Sequence, residues 1–286
     1  MKKSFLYSSS VEEVLNIYNK HSKGNSLPQL AKEYNISIDS LRITFLKNNL
    51  PILRFDKKPT FYRDKNESYF DQIDNEEKAY FLGFIMADGN IDYPKSKSSP
   101  QLRIAIQKED IYILKILQQN LCPSKAVKIY PKRKASWKDT AYFSLVSQQL
   151  CDSLINWGIV PRKSYKELSI PKINKSLIRH FIRGYFDGDG SIVKSIIKDT
   201  RNRLTYSYER FTVTFSGSHN LLTEINNFFV EKGILSKKVN KVKNKKHSSL
   251  VYASHISLKK IFNILYTDSS IYLKRKYDKF VMLIPS

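Results

Sequence analysis

Residues 180–192 read His180-Phe181-Ile182-Arg183-Gly184-Tyr185-Phe186-Asp187-Gly188-Asp189-Gly190-Ser191-Ile192, and residues 79–91 read Ala79-Tyr80-Phe81-Leu82-Gly83-Phe84-Ile85-Met86-Ala87-Asp88-Gly89-Asn90-Ile91. Set side by side, roughly one hundred residues apart, both have a glycine, a small residue four positions on, then Asp-Gly, a polar residue and isoleucine. Gly83 with Ala87, and Gly184 with Gly188, fall on one helical face. Glycine inside a helix costs about 0.5–1 kcal/mol relative to alanine, so its use at matching positions points to two helices in close approach. Gly89 and Gly190 are expected at the left-handed position that closes a helix. Asp88 and Asp189 then stand in the last turns of two packed helices, their carboxylates near one another.

Two like charges at the negative ends of two helix dipoles repel, and divalent cations would relieve the repulsion. Oxygen ligands with room for water and phosphate suit Mg²⁺, which can activate water and stabilise a leaving oxygen. The composition supplies the matching substrate class. Of 286 residues, 49 are Lys or Arg and 26 Asp or Glu, for a net charge of +23. Such an excess argues against an ordinary neutral metabolic enzyme and for a polyanionic partner. With 41% hydrophobic and 13% aromatic residues the charge belongs to a folded protein. No run of eighteen apolar residues is present, so nucleic acid is favoured over a membrane. The first residues turn polar at Ser8-Ser9-Ser10, before the apolar stretch a signal peptide needs.

Both stretches resemble the LAGLIDADG motif of homing endonucleases, with Phe81 to Gly89 as one copy and Ile182 to Gly190 as the other. The rest of each copy agrees with an αββαββα unit. In the first, strands are expected at Ile91 to Tyr93, Leu102 to Gln107, Ala126 to Tyr130 and Ala141 to Val146, with helices Asp110 to Leu121 and Gln148 to Trp157. In the second, strands are expected at Ile192 to Ser195, Phe211 to Phe215, Val239 to Val242 and Leu250 to His255, with helices Asn220 to Lys232 and Leu258 to Leu265. The expected class is α+β: two pseudo-symmetric repeats forming a DNA-binding saddle, plus a small all-α N-terminal domain.

The resemblance implies a single-chain, monomeric enzyme that cuts both strands of a long, partly palindromic or asymmetric DNA site. It makes Asp88 and Asp189 the Mg²⁺ ligands, helped by the backbone carbonyls of Ala87 and Gly188. Mn²⁺ is expected to substitute, and Ca²⁺ to bind without supporting cleavage. Lys163 and Lys276 match the family's lysine position and Gln107 its polar position. The glutamine position of the second copy falls on Ser216, which implies unequal sites. The sixth motif position is Asp187 in one copy and Met86 in the other, a difference of little expected consequence for the metal.

Residues 1–56 form the expected front domain. Val11, Val14, Leu15 and Tyr18 recur at helical spacing up to Gly24. Ser26 is expected to cap a second helix carrying Pro28 in its first turn, and Ser37 a third from Ile38 to Asn48. This segment resembles a helix-turn-helix: Leu30, Tyr34, Ile36 and Leu41 occupy buried positions, Ala31 the close approach and Asn35 the turn, where asparagine tolerates positive φ. Asp39, Ser40, Arg42 and Lys47 would then face a major groove. Residues 57–74 read as a linker, 75–176 as repeat 1 and 177–286 as repeat 2.

Further DNA contacts are expected from Arg103, Lys128, Ser144, Thr212 and Thr214 on strands. Lys132, Arg133, Lys134, Lys241, Lys243 and Lys245 fall on equivalent basic hairpins. The five histidines lack ligand spacing, and Cys122 and Cys151 lack the spacing of a zinc ribbon or disulfide framework and suit a reducing compartment. An EF-hand at Asp187 is excluded by Ile192 and Lys198 where Gly and Glu are needed. The ends of the chain lack intein splicing residues. Two other functions use the same scaffold: an intron RNA maturase, and a transcription regulator, in which the helix-turn-helix follows the repeats and the acids are degenerate. A bacterial or phage-infected cytoplasm, or an organelle matrix, is the expected location.

Overall fold

The computed structural model describes residues 10–53, 62–94, 99–132, 136–161, 166–201, 204–243 and 247–283. The chain divides into two compact units, residues 1–61 and 62–286.

The first unit holds α1 (Val11–Ser22), α2 (Leu27–Glu33) and α3 (Ile38–Lys47). Each begins where a hydroxyl can satisfy an orphan amide. Ser10 accepts from the Glu13 amide, Ser26 and Gln29 form a capping box, and Ser37 accepts from the Ser40 amide. Val14, Ile17, Leu30, Ile36, Leu41 and Phe45 make the core. Asn35 adopts φ 53°, the left-handed turn expected of it. His21 is buried: its ring accepts the Leu53 amide on Nε2 and meets the Asn25 carbonyl through Nδ1. The ring thereby ties down the segment leaving α3.

The second unit contains the two repeats. The first comprises α4 (Glu76–Asp88), β1 (Gly89–Asp92), β2 (Gln101–Gln107), α5 (Ile111–Leu121), β3 (Lys128–Tyr130), β4 (Thr140–Val146) and α6 (Gln148–Asn156). The second comprises α7 (Ile178–Asp189), β5 (Ser191–Arg201), β6 (Leu204–Gly217), α8 (His219–Glu231), β7 (Asn240–Lys241), β8 (Ser248–Tyr252), α9 (His255–Tyr266) and α10 (Lys274–Val281). Among the described residues the strands form two antiparallel sheets, ordered β1-β2-β4-β3 and β5-β6-β8-β7. One apolar core runs through both repeats, from Phe70 and Phe81 to Phe215 and Phe280.

Several expectations are corrected. Residues 62–74 are not linker: Tyr69, Phe70 and Ile73 are buried in the core, and the Trp157 indole N–H donates to the Phe70 carbonyl at 2.6 Å. Their charged neighbours hid three apolar anchors. The β5–β6 hairpin is far longer than alternation suggested, pairing from Ser191↔Thr214 outward past Ile197↔Tyr208. Beyond Thr212 only these two strands pair, and residues 193–198 and 206–212 have no buried side chain on either face, so the ribbon lacks the hydrophobic alternation that marks a half-buried strand. His255 starts α9 rather than ending a strand, and α10 was not expected at all.

Gly89 and Gly190 are not left-handed; both are extended, with φ −77° and −82°. They must be glycine for another reason. A Cβ on Gly89 would stand 2.6 Å from the Ile85 carbonyl oxygen, and one on Gly190 would stand 2.5 Å from that of Phe186. The chain turns from helix straight into strand, and only a hydrogen fits inside the bend.

Candidate active site

The first-repeat helix α4 and its counterpart α7 lie side by side and run in the same direction. A Cβ on Gly83 would coincide with the Phe181 carbonyl oxygen, and one on Gly184 with that of Tyr80. Further along, a Cβ on Gly188 would overlap that of Ala87 and lie 3.4 Å from an Asp88 carboxylate oxygen. The small residues thus act as the sequence implied, letting backbone meet backbone. Asp88 ends α4 and Asp189 ends α7; both are exposed. Each is followed directly by a strand, so both sheets begin at this end of the helix pair.

Lys276 is buried against the same end. Its ammonium donates to the carbonyls of Phe186 at 2.6 Å, Gly190 at 2.6 Å and Gly188 at 3.2 Å. Burial pushes its pKa down to about 8, while the carboxylates of Asp187, Asp88 and Asp189 pull the other way. Both motif carboxylates therefore act on one ammonium, which offsets part of the repulsion that their placement creates.

Asp88 opens into a cleft of about 640 Å³ with Gln107, Asp110, Lys138, Gly188 and Arg275 along its walls. Gln107 accepts from Lys138 at 3.2 Å, and Lys138 also pairs with Glu109. In the second repeat, Ser216 has a shorter side chain than Gln107, and its carbonyl accepts from Tyr185 at 2.7 Å. Lys163, Arg133, Lys134 and Lys245 lie outside the described residues.

Among the described residues no three His, Cys, Asp or Glu side chains gather into a closed metal site. The donors present are hard oxygens, two exposed carboxylates with the Ala87 and Gly188 carbonyls beside them. That set fits a cation which keeps waters and takes phosphate oxygens, as Mg²⁺ does. The Gly188 carbonyl already accepts a bond from Lys276, so it has one remaining lone pair to offer.

The outward sheet faces carry most of the expected contacts. Arg103 faces Ser144, and Lys128 faces Tyr142 across their strands. Arg103 is held by Asp92 at 2.8 Å and by the Tyr142 hydroxyl. Thr212 and Thr214 share the outer face of the second sheet with Arg210 and Tyr208. Lys241 is exposed on its hairpin, and because its register partner is Ser248 it lies on the face opposite Thr212 and Thr214, whose side Asn240 shares. Lys132 and Lys243 are exposed beside their hairpins, as are Arg42, Asp39 and Lys47 on α3.

Asp187 is fully buried and accepts from the Tyr80 hydroxyl at 2.8 Å, the Tyr266 hydroxyl at 3.0 Å and the Leu273 amide at 2.7 Å, a structural part that the motif position alone did not suggest. Burial pushes its pKa up, opposed by Lys276 and these donors. Arg183, also fully buried, donates to the Ile271 and Leu265 carbonyls and pairs with Glu76 at 2.6 Å. Charged residues inside an otherwise apolar helix were the available signal. Their partners lie some eighty or more residues away, and no local pattern names them.

Residues 176–266 match the LAGLIDADG-like domain family. Among solved structures, the I-SmaMI LAGLIDADG homing endonuclease bound to cleaved DNA superposes with a TM-score of 0.51 at 12% identity, over 74% of this chain and 88% of that one. The chain has the LAGLIDADG fold. I-LtrWI bound to target DNA matches over 77% of this chain and 90% of its own, with a TM-score of 0.51 at 11% identity. I-AabMI bound to uncleaved DNA matches at 13% identity and a TM-score of 0.50, over 74% and 90%. No curated protein matches by sequence. The sequence match falls on the second LAGLIDADG repeat, and the fold brings in the first, which has Met86 where the second has Asp187. The three-helix unit at the front is additional to the LAGLIDADG part.

Proposed function

We propose that the protein is a site-specific endonuclease that cuts both strands of duplex DNA with Mg²⁺. One observation carries this reading: two motif carboxylates, from two repeats, end adjacent parallel helices beside a shared buried lysine. A binding protein needs none of these. Asp88 and Asp189 would hold the metal, with the carbonyls of Ala87 and Gly188 near. The metal would supply an activated water and neutralise charge on the leaving oxygen. Lys276 places its positive charge beside both motif carboxylates, where it would offset negative charge that builds up on the phosphate. Gln107 orients water or phosphate in the first site, where its amide reaches into the cleft. The pairing of Gln107 with Ser216 makes the two sites unequal, so the strands are cut at different rates.

Arg103, Lys128, Ser144, Thr212 and Thr214 present donors and acceptors outward from antiparallel strands, a form that fits a major groove. Lys132 and Lys243 reach phosphates at the margins. The three-helix unit adds a groove-reading helix through Arg42 and Lys47. Single-chain duplication makes the protein complete as a monomer.

The test is cleavage of a randomised duplex library by the full chain in Mg²⁺, with Ca²⁺ and an Asp88→Asn, Asp189→Asn double variant as controls. Enrichment of one long cut site in Mg²⁺ alone is expected. Sequence-specific binding without cutting would make the protein a regulator, and preference for structured RNA would make it a maturase.

A further inference from the structure

The helix α10 begins without a cap of its own. Its N-cap residue is Leu273, whose side chain can accept nothing, yet the first amides of a helix need acceptors. Groups from elsewhere supply them. Asp187 accepts the Leu273 amide at 2.7 Å, and the Tyr112 hydroxyl accepts the Lys274 amide at 2.6 Å. The same hydroxyl donates to the Tyr272 carbonyl at 3.1 Å, so one phenol clasps the chain on both sides of the cap. Next to it, buried Asp110 takes Arg275 at 2.7 Å, fixing the rotation of the first turn.

Tyr112 and Asp110 belong to the first repeat, while α10 belongs to the second. The third residue of α10 is Lys276, whose ammonium ends at the carbonyls of Phe186, Gly188 and Gly190. From this geometry we infer that Tyr112 and Asp110 are positioning residues: the first repeat caps α10 and so holds Lys276 at the site of the second. The inference rests on the endonuclease reading for its effect on cutting, though the capping itself does not.

In the test, Tyr112→Phe, Asp110→Asn, Lys276→Met and the Tyr112→Phe, Lys276→Met double variant cut a target labelled separately on each strand. Tyr112→Phe is expected to slow one strand about tenfold to a hundredfold, as misplacement of a catalytic group does. It should be the strand that Lys276→Met slows, with Asp110→Asn acting in the same direction and Tyr112→Phe leaving DNA affinity unchanged. The double variant should be no slower than Lys276→Met alone, because the hydroxyl acts through the lysine. Equal slowing of both strands, or additive losses in the double variant, would overturn the inference.

A second arm needs no cleavage. In the free full-length protein, amide exchange at Leu273 and Lys274, and acylation of Lys276 by an amine-reactive anhydride, should each speed up about tenfold in Tyr112→Phe. Wild-type protection in that variant would overturn the inference whatever the DNA assay shows. Failure of the wild type to cut any DNA, with these rates raised, would remove the endonuclease reading and leave the capping in place.

Discussion

Tyr80 and Asp187 join the two repeats by a buried hydrogen bond, the phenol of α4 donating to the carboxylate of α7 at 2.8 Å. The first repeat has Met86 at the corresponding place, buried among apolar side chains. Asp187→Met therefore copies one half's solution into the other, but leaves the Leu273 amide and two tyrosine hydroxyls without an acceptor. Each orphaned buried group costs about 1–3 kcal/mol, so a loss of about 3 kcal/mol or more is expected in urea unfolding of the repeat unit. A loss below about 1 kcal/mol would mean that water replaces the carboxylate.

Gly83→Ala should be among the most damaging single-atom additions. The added methyl would coincide with the Phe181 carbonyl oxygen, and backbone cannot swing aside as a side chain does. Overpacking of this kind costs about 1–3 kcal/mol and often more. Gly24 is the contrast. Nothing lies within 4 Å of a Cβ there, and its φ of 109° is what asks for glycine. Its replacement by Asn is expected to cost under about 1 kcal/mol, since Asn tolerates positive φ best. Thermal melts of the two variants give the comparison.

Asp88→Asn or Asp189→Asn is expected to lower cleavage of at least one strand by about a thousandfold, the worth of several kcal/mol of metal-assisted charge stabilisation. DNA binding should hold or tighten, because the change removes a negative charge facing phosphate. Strand-resolved rates and binding isotherms separate the two effects; undiminished cutting by either variant would show that the carboxylate in question is not a ligand.

Binding should weaken steeply with salt. About ten phosphate contacts give a slope near −9 in log affinity against log salt. Lys132→Ala and Lys243→Ala should each lower the slope by about 1 without changing the preferred sequence, whereas Arg103→Ala, on a strand face, should relax the sequence preference at one position.

His180 gives the stability a pH dependence on the acid side. Burial, with Arg183 beside it, pushes His180 down to about 4, against the pull of Glu76. The unfolded ring takes a proton near pH 6.5 and the folded one does not. Stability is thus unaffected by this group above pH 7, and falls as pH drops from about 6.5 towards 4, with the steepness of one proton. His180→Gln should flatten that limb of the denaturation curve measured between pH 4 and 7.

How much of this was legible in the sequence depended on distance along the chain. The motif helices, their close approach and the placement of Asp88 and Asp189 follow from glycine spacing within a dozen residues, and the structure agrees. The front unit was equally plain, down to the turn at Asn35, because its caps are local. Gly89 and Gly190 were placed correctly but for the wrong reason: the sequence signals a helix end, and says nothing of a bend so tight that a Cβ would meet the preceding carbonyl. Tyr69, Phe70 and Ile73 were lost among charges. The start of α10 was illegible in principle, since its cap is Tyr112, 162 residues away from Lys274.

That separation has a temporal meaning. Glu76, Asp110 and Tyr112 leave the ribosome 194, 165 and 162 residues ahead of the Ser270, Arg275 and Lys274 that they grip. At about 5–20 residues per second, a nascent chain spends on the order of ten to forty seconds with its first half made and these grips still open. During that interval the first half carries strands and basic hairpins while the clasp around Leu273 waits for its guest. The seat of Lys276 closes only once α10 has been made, so a chain halted before it keeps Tyr112 and Asp110 as open grips.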